Sequence, residues 1–275
     1  MSESIWDILQ RKEAIISFRH LLDLHRRVKW AMIAATGSTD LETAFKLLEQ
    51  SKNVDIDKIR QDIELVENAQ IRLQNRLHKE RSRQIFESYY EAWSCLSAKF
   101  ITEENSLAIA SRLRTSPHIE EIILFGSLAR KDSNPRDIDL MILDNGYYSL
   151  QRVMTYSVND WATVKLFTEL FDTDLNRFVS AMMTGWLDIL TINGSALKSR
   201  ATYARAVVQV QQDGSFFENI SRDLLTFDQQ TVQWKVNTEA RQEFAEIHTK
   251  FSRSRRWPPD RQRLKFPPRQ RIRGM

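Results

Sequence analysis

Hydrophobic positions recur three and four residues apart through the first 115 residues: Ile5, Ile8 and Leu9, then Ile15, Ile16 and Leu22, later Ile56, Ile59, Ile63 and Val66. That spacing predicts amphipathic helices over 5–115. Punctuation is sparse, with one glycine, Gly37, and no proline before Pro117. The stretch Thr36-Gly37-Ser38-Thr39-Asp40 reads as a break, with Gly37 closing one helix and Ser38 or Thr39 capping the next. Residues 55–100 read as one long helix or two, with a polar middle from Gln70 to Gln84. Thr102-Glu103-Glu104 reads as a further helix start, and that helix should stop before Ser116-Pro117.

The pattern then changes. Ile119–Phe125 and Asp137–Leu143 are apolar, β-rich runs, and the loop between them ends in Ser133-Asn134-Pro135. Tyr147–Leu170 and Asp174–Met183 have helical spacing. Trp186–Ile192 reads as a third strand, closed by Asn193-Gly194. Tyr203–Gln212 reads as a helix before an Asp213-Gly214 turn, and 220–250 as helical again. The expected fold class is therefore α+β. It comprises a helical extension (1–116), a core with a small mixed sheet (117–218), a helical segment (219–250) and a basic tail (251–275).

Charge sharpens that division. The chain carries +4 over 275 residues. Residues 250–275 hold ten Lys and Arg against one acid, Asp260, so this stretch alone carries +9 and the rest −5. The tail, with Pro258-Pro259 and Pro267-Pro268, is expected to be extended or disordered. It suits contact with the phosphates of RNA or DNA, with Trp257 and Phe266 available for stacking; its other reading is a solvated terminus. The Trp residues elsewhere read as core. With no apolar run of the ~18 residues a membrane span needs, and no signal-like start, the expectation is a cytoplasmic chain without membrane contact. The single cysteine, Cys95, allows no internal disulfide and reads as a small buried residue.

The informative segment runs from Ile122 through Phe125-Gly126-Ser127-Leu128-Ala129-Arg130-Lys131 to Arg136-Asp137-Ile138-Asp139. A buried strand runs into Gly126-Ser127, and a helix is expected to follow. Glycine lets the backbone approach a bulky anion, and amides at a helix start favour phosphate. The Ser127 hydroxyl could add a hydrogen bond, and Arg130 lies one turn on. Asp137 and Asp139 are two apart on the next expected strand, so they share a face, with Cα atoms roughly 6.6 Å apart. Paired carboxylates repel unless a cation sits between them, and hard oxygen ligands select Mg²⁺ or Mn²⁺.

Gly-Ser, then an Arg, then Asp-x-Asp on the next strand resembles the signature of the DNA polymerase beta-like nucleotidyltransferase superfamily, in particular its minimal nucleotidyltransferases. The resemblance covers roughly residues 117–218. It implies transfer of a nucleoside monophosphate, usually AMP, from ATP or another NTP to a protein or RNA acceptor hydroxyl. It also implies a third carboxylate from a later strand. Asp188 is the best position for it; Asp172 and Asp174 compete, though they look like a helix N-cap. Carried over, Asp137, Asp139 and Asp188 would bind metal, and Gly126 and Ser127 the phosphates, with Arg130 and Lys131 beside them. The family often has Gly where this chain has Lys131. Small relatives of this type often act in toxin–antitoxin or phage-defence systems.

Two other readings stand beside this one. The fold could be an inactive scaffold that binds nucleic acid through the tail. Alternatively, Arg19-His20 to His25 is similar to the spaced Arg and His of HEPN-family ribonucleases, which often partner minimal nucleotidyltransferases. Arg72 and His78 repeat that spacing, and the plainer reading of both is a helix with a polar face.

Overall fold

A computed structural model of the chain describes residues 17–50, 53–71, 79–148, 154–155, 161–193 and 222–253. The expected helix at Tyr203–Gln212, the Arg72–His78 pair, Ile5–Ile16 and residues 254–275 of the tail lie outside them.

The fold is α+β. Among the described residues five helices come first: α1 (Phe18–Thr36), α2 (Leu41–Glu49), α3 (Ile56–Ile71), α4 (Lys79–Phe100) and α5 (Glu103–Leu113). Their ends follow from local chemistry. Ser17 accepts from His20 N–H to open α1, and Gly37, at φ 67°, closes it in the left-handed conformation. Asp40 caps α2 by accepting from Thr43 N–H. Neither Ser38 nor Thr39 does so, because the Ser38 hydroxyl donates to the Asp40 carbonyl instead. Thr102 caps α5 as expected. The 55–100 stretch contains two helices, α3 and α4.

The sheet follows, with β1 (Ile119–Phe125), the single turn α6 (Gly126–Ala129), β2 (Ile138–Asp144), β3 (Met154–Thr155), α7 (Trp161–Leu170), a 3₁₀ turn (Asp172–Asp174), α8 (Leu175–Thr184) and β4 (Leu187–Asn193). Then come β5 (Leu225–Asp228), β6 (Gln233–Val236) and α9 (Thr238–Arg253). The sheet order is β3-β4-β2-β1-β5-β6. β2 and β4 run parallel, and the other pairs are antiparallel. The parallel pair requires a crossover, which residues 145–186 supply through α7 and α8.

Three expectations are corrected. Of the described residues in Tyr147–Leu170, Trp161–Leu170 is helical, whereas Met154–Thr155 pairs with β4. Residues 220–250 are not a helical segment: a β-hairpin, β5–β6, precedes α9, and its first strand pairs with β1. The sheet therefore extends past residue 218. Phe251–Arg253, assigned to the tail, complete α9.

One hydrophobic core joins the helical region to the sheet. Its hinge is Trp186, fully buried at the entry to β4, with ring centroids 6.0 Å from Trp93 and 5.5 Å from Phe100 of α4. Of the other tryptophans, Trp30 and Trp234 are only half-buried. Cys95 is also half-buried and faces the Asn53 carbonyl. No helix among the described residues is long and apolar enough to cross a membrane.

His25 belongs to the packing between α1 and α4. It is buried, with Nδ1 3.0 Å from the Tyr89 hydroxyl. Burial, then the Lys29 charge, pull its pKa from 6.5 down to about 4, against an opposing effect of Glu67. The folded protein thus holds a neutral imidazole that the unfolded chain would protonate. Stability should be full above pH 6.5 and fall as the pH drops towards 4, by about 3 kcal/mol. Thermal unfolding across that range should show the decline, and His25→Gln should flatten it.

Candidate metal centre

The centre is built where three segments meet. β1 ends at Phe125, whose register partner on β2 is Asp139. Asp139 is in turn the register partner of Asp188 across the parallel β2–β4 pair. Neighbouring strands lie only about 4.8 Å apart, so this register sets the two acids side by side. Asp137 lies one residue before β2 rather than within it. Its carboxylate still joins the group: ligand oxygens of Asp137, Asp139 and Asp188 all lie within 4.8 Å of one another.

Gly126 makes the arrangement possible. Its φ is 76°, and a Cβ there would overlap the Asp139 carboxylate, coming within 2.9 Å of its Cγ. The glycine was expected to admit a phosphate; here the space a side chain would need is occupied by an acid of the cluster. Ser127 also turns inward. Its hydroxyl accepts from Arg136 N–H at 3.1 Å and donates to Asp137 at 3.4 Å. Sequence reasoning gave Ser127 to phosphate, whereas the structure has it orienting a carboxylate. The helix expected after Gly126 is one four-residue turn, too short for a helix-end field to add much.

Arg130 bonds Asp132 at 2.9 Å and lies 3.6 Å from Asp223, which Arg222 grips at 2.8 and 3.0 Å. Its charge still reaches Asp137 and Asp139, favouring their ionised forms. Asp223 is a residue that sequence reasoning missed. It lies in a stretch read as helical, and no motif marks it. Lys131 is exposed and sits at φ 60°. That left-handed conformation suits the glycine this position was noted to lack. Asp172 and Asp174 are exposed on the 3₁₀ turn and stand outside the cluster; Asp174 precedes α8 without making a capping bond through its side chain.

The electrostatics are compatible with a bound cation. Asp139 is pushed well above the usual carboxylate range, first by burial and then by the charges of Asp137 and Asp188. Asp188 is solvent-exposed, yet the protein around it and then Asp137 push it up to about 6. Asp137 is raised by burial, against hydrogen bonds from Asp139 and Ser127. Three converging oxygen donors whose negative charge is incompletely compensated fit a hard divalent ion. A lone structural carboxylate would be expected to find a cationic side chain.

No protein-family model matches the chain, and neither curated proteins nor solved structures give a match. The geometry of the centre therefore carries the functional reading.

Two stability outcomes follow. Without metal, Asp139→Asn should raise Tm by ~2–4 °C, since a buried repelling charge is removed. Added Mn²⁺ should stabilise the wild type but not this variant, or Gly126→Ala, in thermal-shift measurements. Lys131→Gly should stabilise by about 0.5–1 kcal/mol, because relief of left-handed strain exceeds the added chain entropy. Denaturant titration would measure it.

Proposed function

We propose that this protein is a metal-dependent nucleotidyltransferase that moves a nucleoside monophosphate, AMP from ATP in the first instance, to a hydroxyl on a protein or RNA acceptor. The observation that carries the proposal is the convergence of Asp137, Asp139 and Asp188 within 4.8 Å, beside a glycine turn that no side chain could share. The order Gly-Ser, Arg, Asp-x-Asp and the later strand acid resembles the polymerase beta-like superfamily, and the register pairing of Asp139 with Asp188 supports the third carboxylate chosen from that likeness.

Asp137, Asp139 and Asp188 would hold Mg²⁺ or Mn²⁺, which, when bound, neutralises triphosphate charge and acidifies an acceptor hydroxyl. The chain's own part is positioning. Ser127 fixes the rotamer of Asp137 through its hydroxyl. Gly126 leaves room for Asp139, and the backbone amides of the turn would meet the triphosphate's distal phosphates. Asp188, on the solvent side, orients the acceptor and takes its proton. Arg130 and Lys131 border the turn and add positive charge for the leaving pyrophosphate. Small members of the superfamily it resembles often act in toxin–antitoxin or phage-defence systems, and we propose that setting on the resemblance alone.

Incubation with each α-³²P-labelled NTP and Mg²⁺ or Mn²⁺, in lysate and with purified protein, tests the proposal. Label should transfer to an acceptor or to the chain itself. Asp137→Asn and Asp188→Asn should each reduce transfer by more than the ~10–100-fold typical of changes beyond a metal's direct ligands. If no NTP is consumed with either metal, while removal of 254–275 abolishes RNA binding, the fold is a nucleic-acid-binding scaffold and the proposal is wrong.

A further inference from the structure

The segment leading into β5 brings a fourth acid, Asp223, to the Gly126 turn, and it is built unlike the other three. β1 and β5 run antiparallel with Leu124 opposite Leu225, so Asp223, two residues before Leu225, arrives where β1 gives way to the turn. Asp139 lies on the other flank of β1, across the pairing with β2. Asp223 stands outside the metal cluster. It is buried, and its backbone is fixed from α9: the carbonyl of Leu224 accepts from Arg241 Nε at 2.9 Å.

Two guanidiniums meet on this one carboxylate. Arg222 takes both of its oxygens, donating from Nε to Oδ1 at 2.8 Å and from Nη2 to Oδ2 at 3.0 Å. Arg130 Nη1 lies 3.6 Å from Oδ2, within ion-pair range but beyond a hydrogen bond. Like charges repel unless an anion lies between them, so Asp223 is what lets two arginines share the turn. Because Arg222 already occupies its oxygens, Asp223 steers Arg130 without capturing it. The closer partner of Arg130 is Asp132, at 2.9 Å, but Asp132 is exposed, and such a pair contributes little in water. A phosphate, which makes stronger charge-assisted bonds to a guanidinium, can displace it. Held in this way, Arg130 is near enough for its charge to act on Asp137 and Asp139.

We infer that Asp223 is a positioning residue of the proposed transfer: it aims the Arg130 guanidinium at the outgoing pyrophosphate, and Arg222 sets the strength of that hold by occupying the Asp223 oxygens. The inference rests on the nucleotidyltransferase reading of the site and adds residues that lie outside the Gly-Ser, Arg, Asp-x-Asp pattern. In that transfer the acceptor oxygen bonds the α-phosphorus as the α–β anhydride bond breaks. Pyrophosphate leaves with the electron pair, and Arg130 meets the charge that builds on it. Asp223 and Arg222 act through Arg130.

Calorimetric titration of the full chain with inorganic pyrophosphate and Mg²⁺ reads the positioning without turnover, and NTP transfer kinetics read it in the reaction. The wild type should bind pyrophosphate. Asp223→Asn should weaken binding about tenfold, and kcat should fall by a similar factor, more than KM rises. Arg222 is exposed, so Arg222→Gln leaves the core intact and tests the inference even where Asp223→Asn does not fold. By letting Asp223 capture Arg130, it should weaken binding about threefold. In an Arg130→Ala background neither substitution should weaken binding further, whereas a merely structural role would persist there. If no NTP is consumed while pyrophosphate binding follows this pattern, the transferase reading fails and the positioning stands. A folded variant of either kind that binds pyrophosphate like the wild type overturns the inference, whether or not transfer proceeds. So does an undiminished effect without Arg130, or a wild type that binds no pyrophosphate.

Discussion

Three carboxylates held within 4.8 Å of each other repel, and much of the surrounding fold serves to keep them there. The restraint comes from backbone geometry more than from counter-charge. Asp139 and Asp188 are fixed by the parallel register of two strands, which cannot slip without turning every side chain to the opposite face. Gly126 removes the one side chain that would push Asp139 away, and Ser127 ties Asp137 to the same turn. The register is anchored in turn by packing. Ile138 N–H donates to the Trp186 carbonyl, so the starts of β2 and β4 are locked together next to a tryptophan buried against α4. The helical region and the sheet are thus mechanically linked at the point where the acids enter the site.

Much of this was legible in the sequence. The apolar runs marked β1, β2 and β4 to within a residue or two, and the spacing of Asp137 and Asp139 beside them marked the site. Asp188 was legible only through a likeness to a family, because a single acid in an apolar run has no unique meaning. The hairpin at 225–236 was not legible. Its strands have four residues each, and its turn carries Val232 at φ 51° where glycine or asparagine would have announced it. The turn is instead organised by Asp228, which accepts from Gln230 N–H and the Thr231 hydroxyl and pairs with Lys235.

The inward orientation of Ser127 and the pairing of Arg130 were hidden for a related reason. Sequence spacing places a side chain on a face, but hydrogen-bond partners depend on what tertiary structure brings near. Arg130 meets Asp223 across 93 positions of chain, a distance no local pattern reports. Lys131 was visible as a departure from a glycine, and only the left-handed backbone shows that the departure has a conformational cost.

The hairpin has one further consequence. β1 is a central strand of the sheet, yet one of its two neighbours, β5, is encoded about a hundred residues downstream. During synthesis β1 and β2 can pair at once, while the other flank of β1 waits as an open edge, with unspent amides and carbonyls, until Leu225–Asp228 emerges. A nascent chain of this protein therefore passes through an interval in which a largely apolar strand is a template for misassociation, and the short hairpin is the piece that ends it.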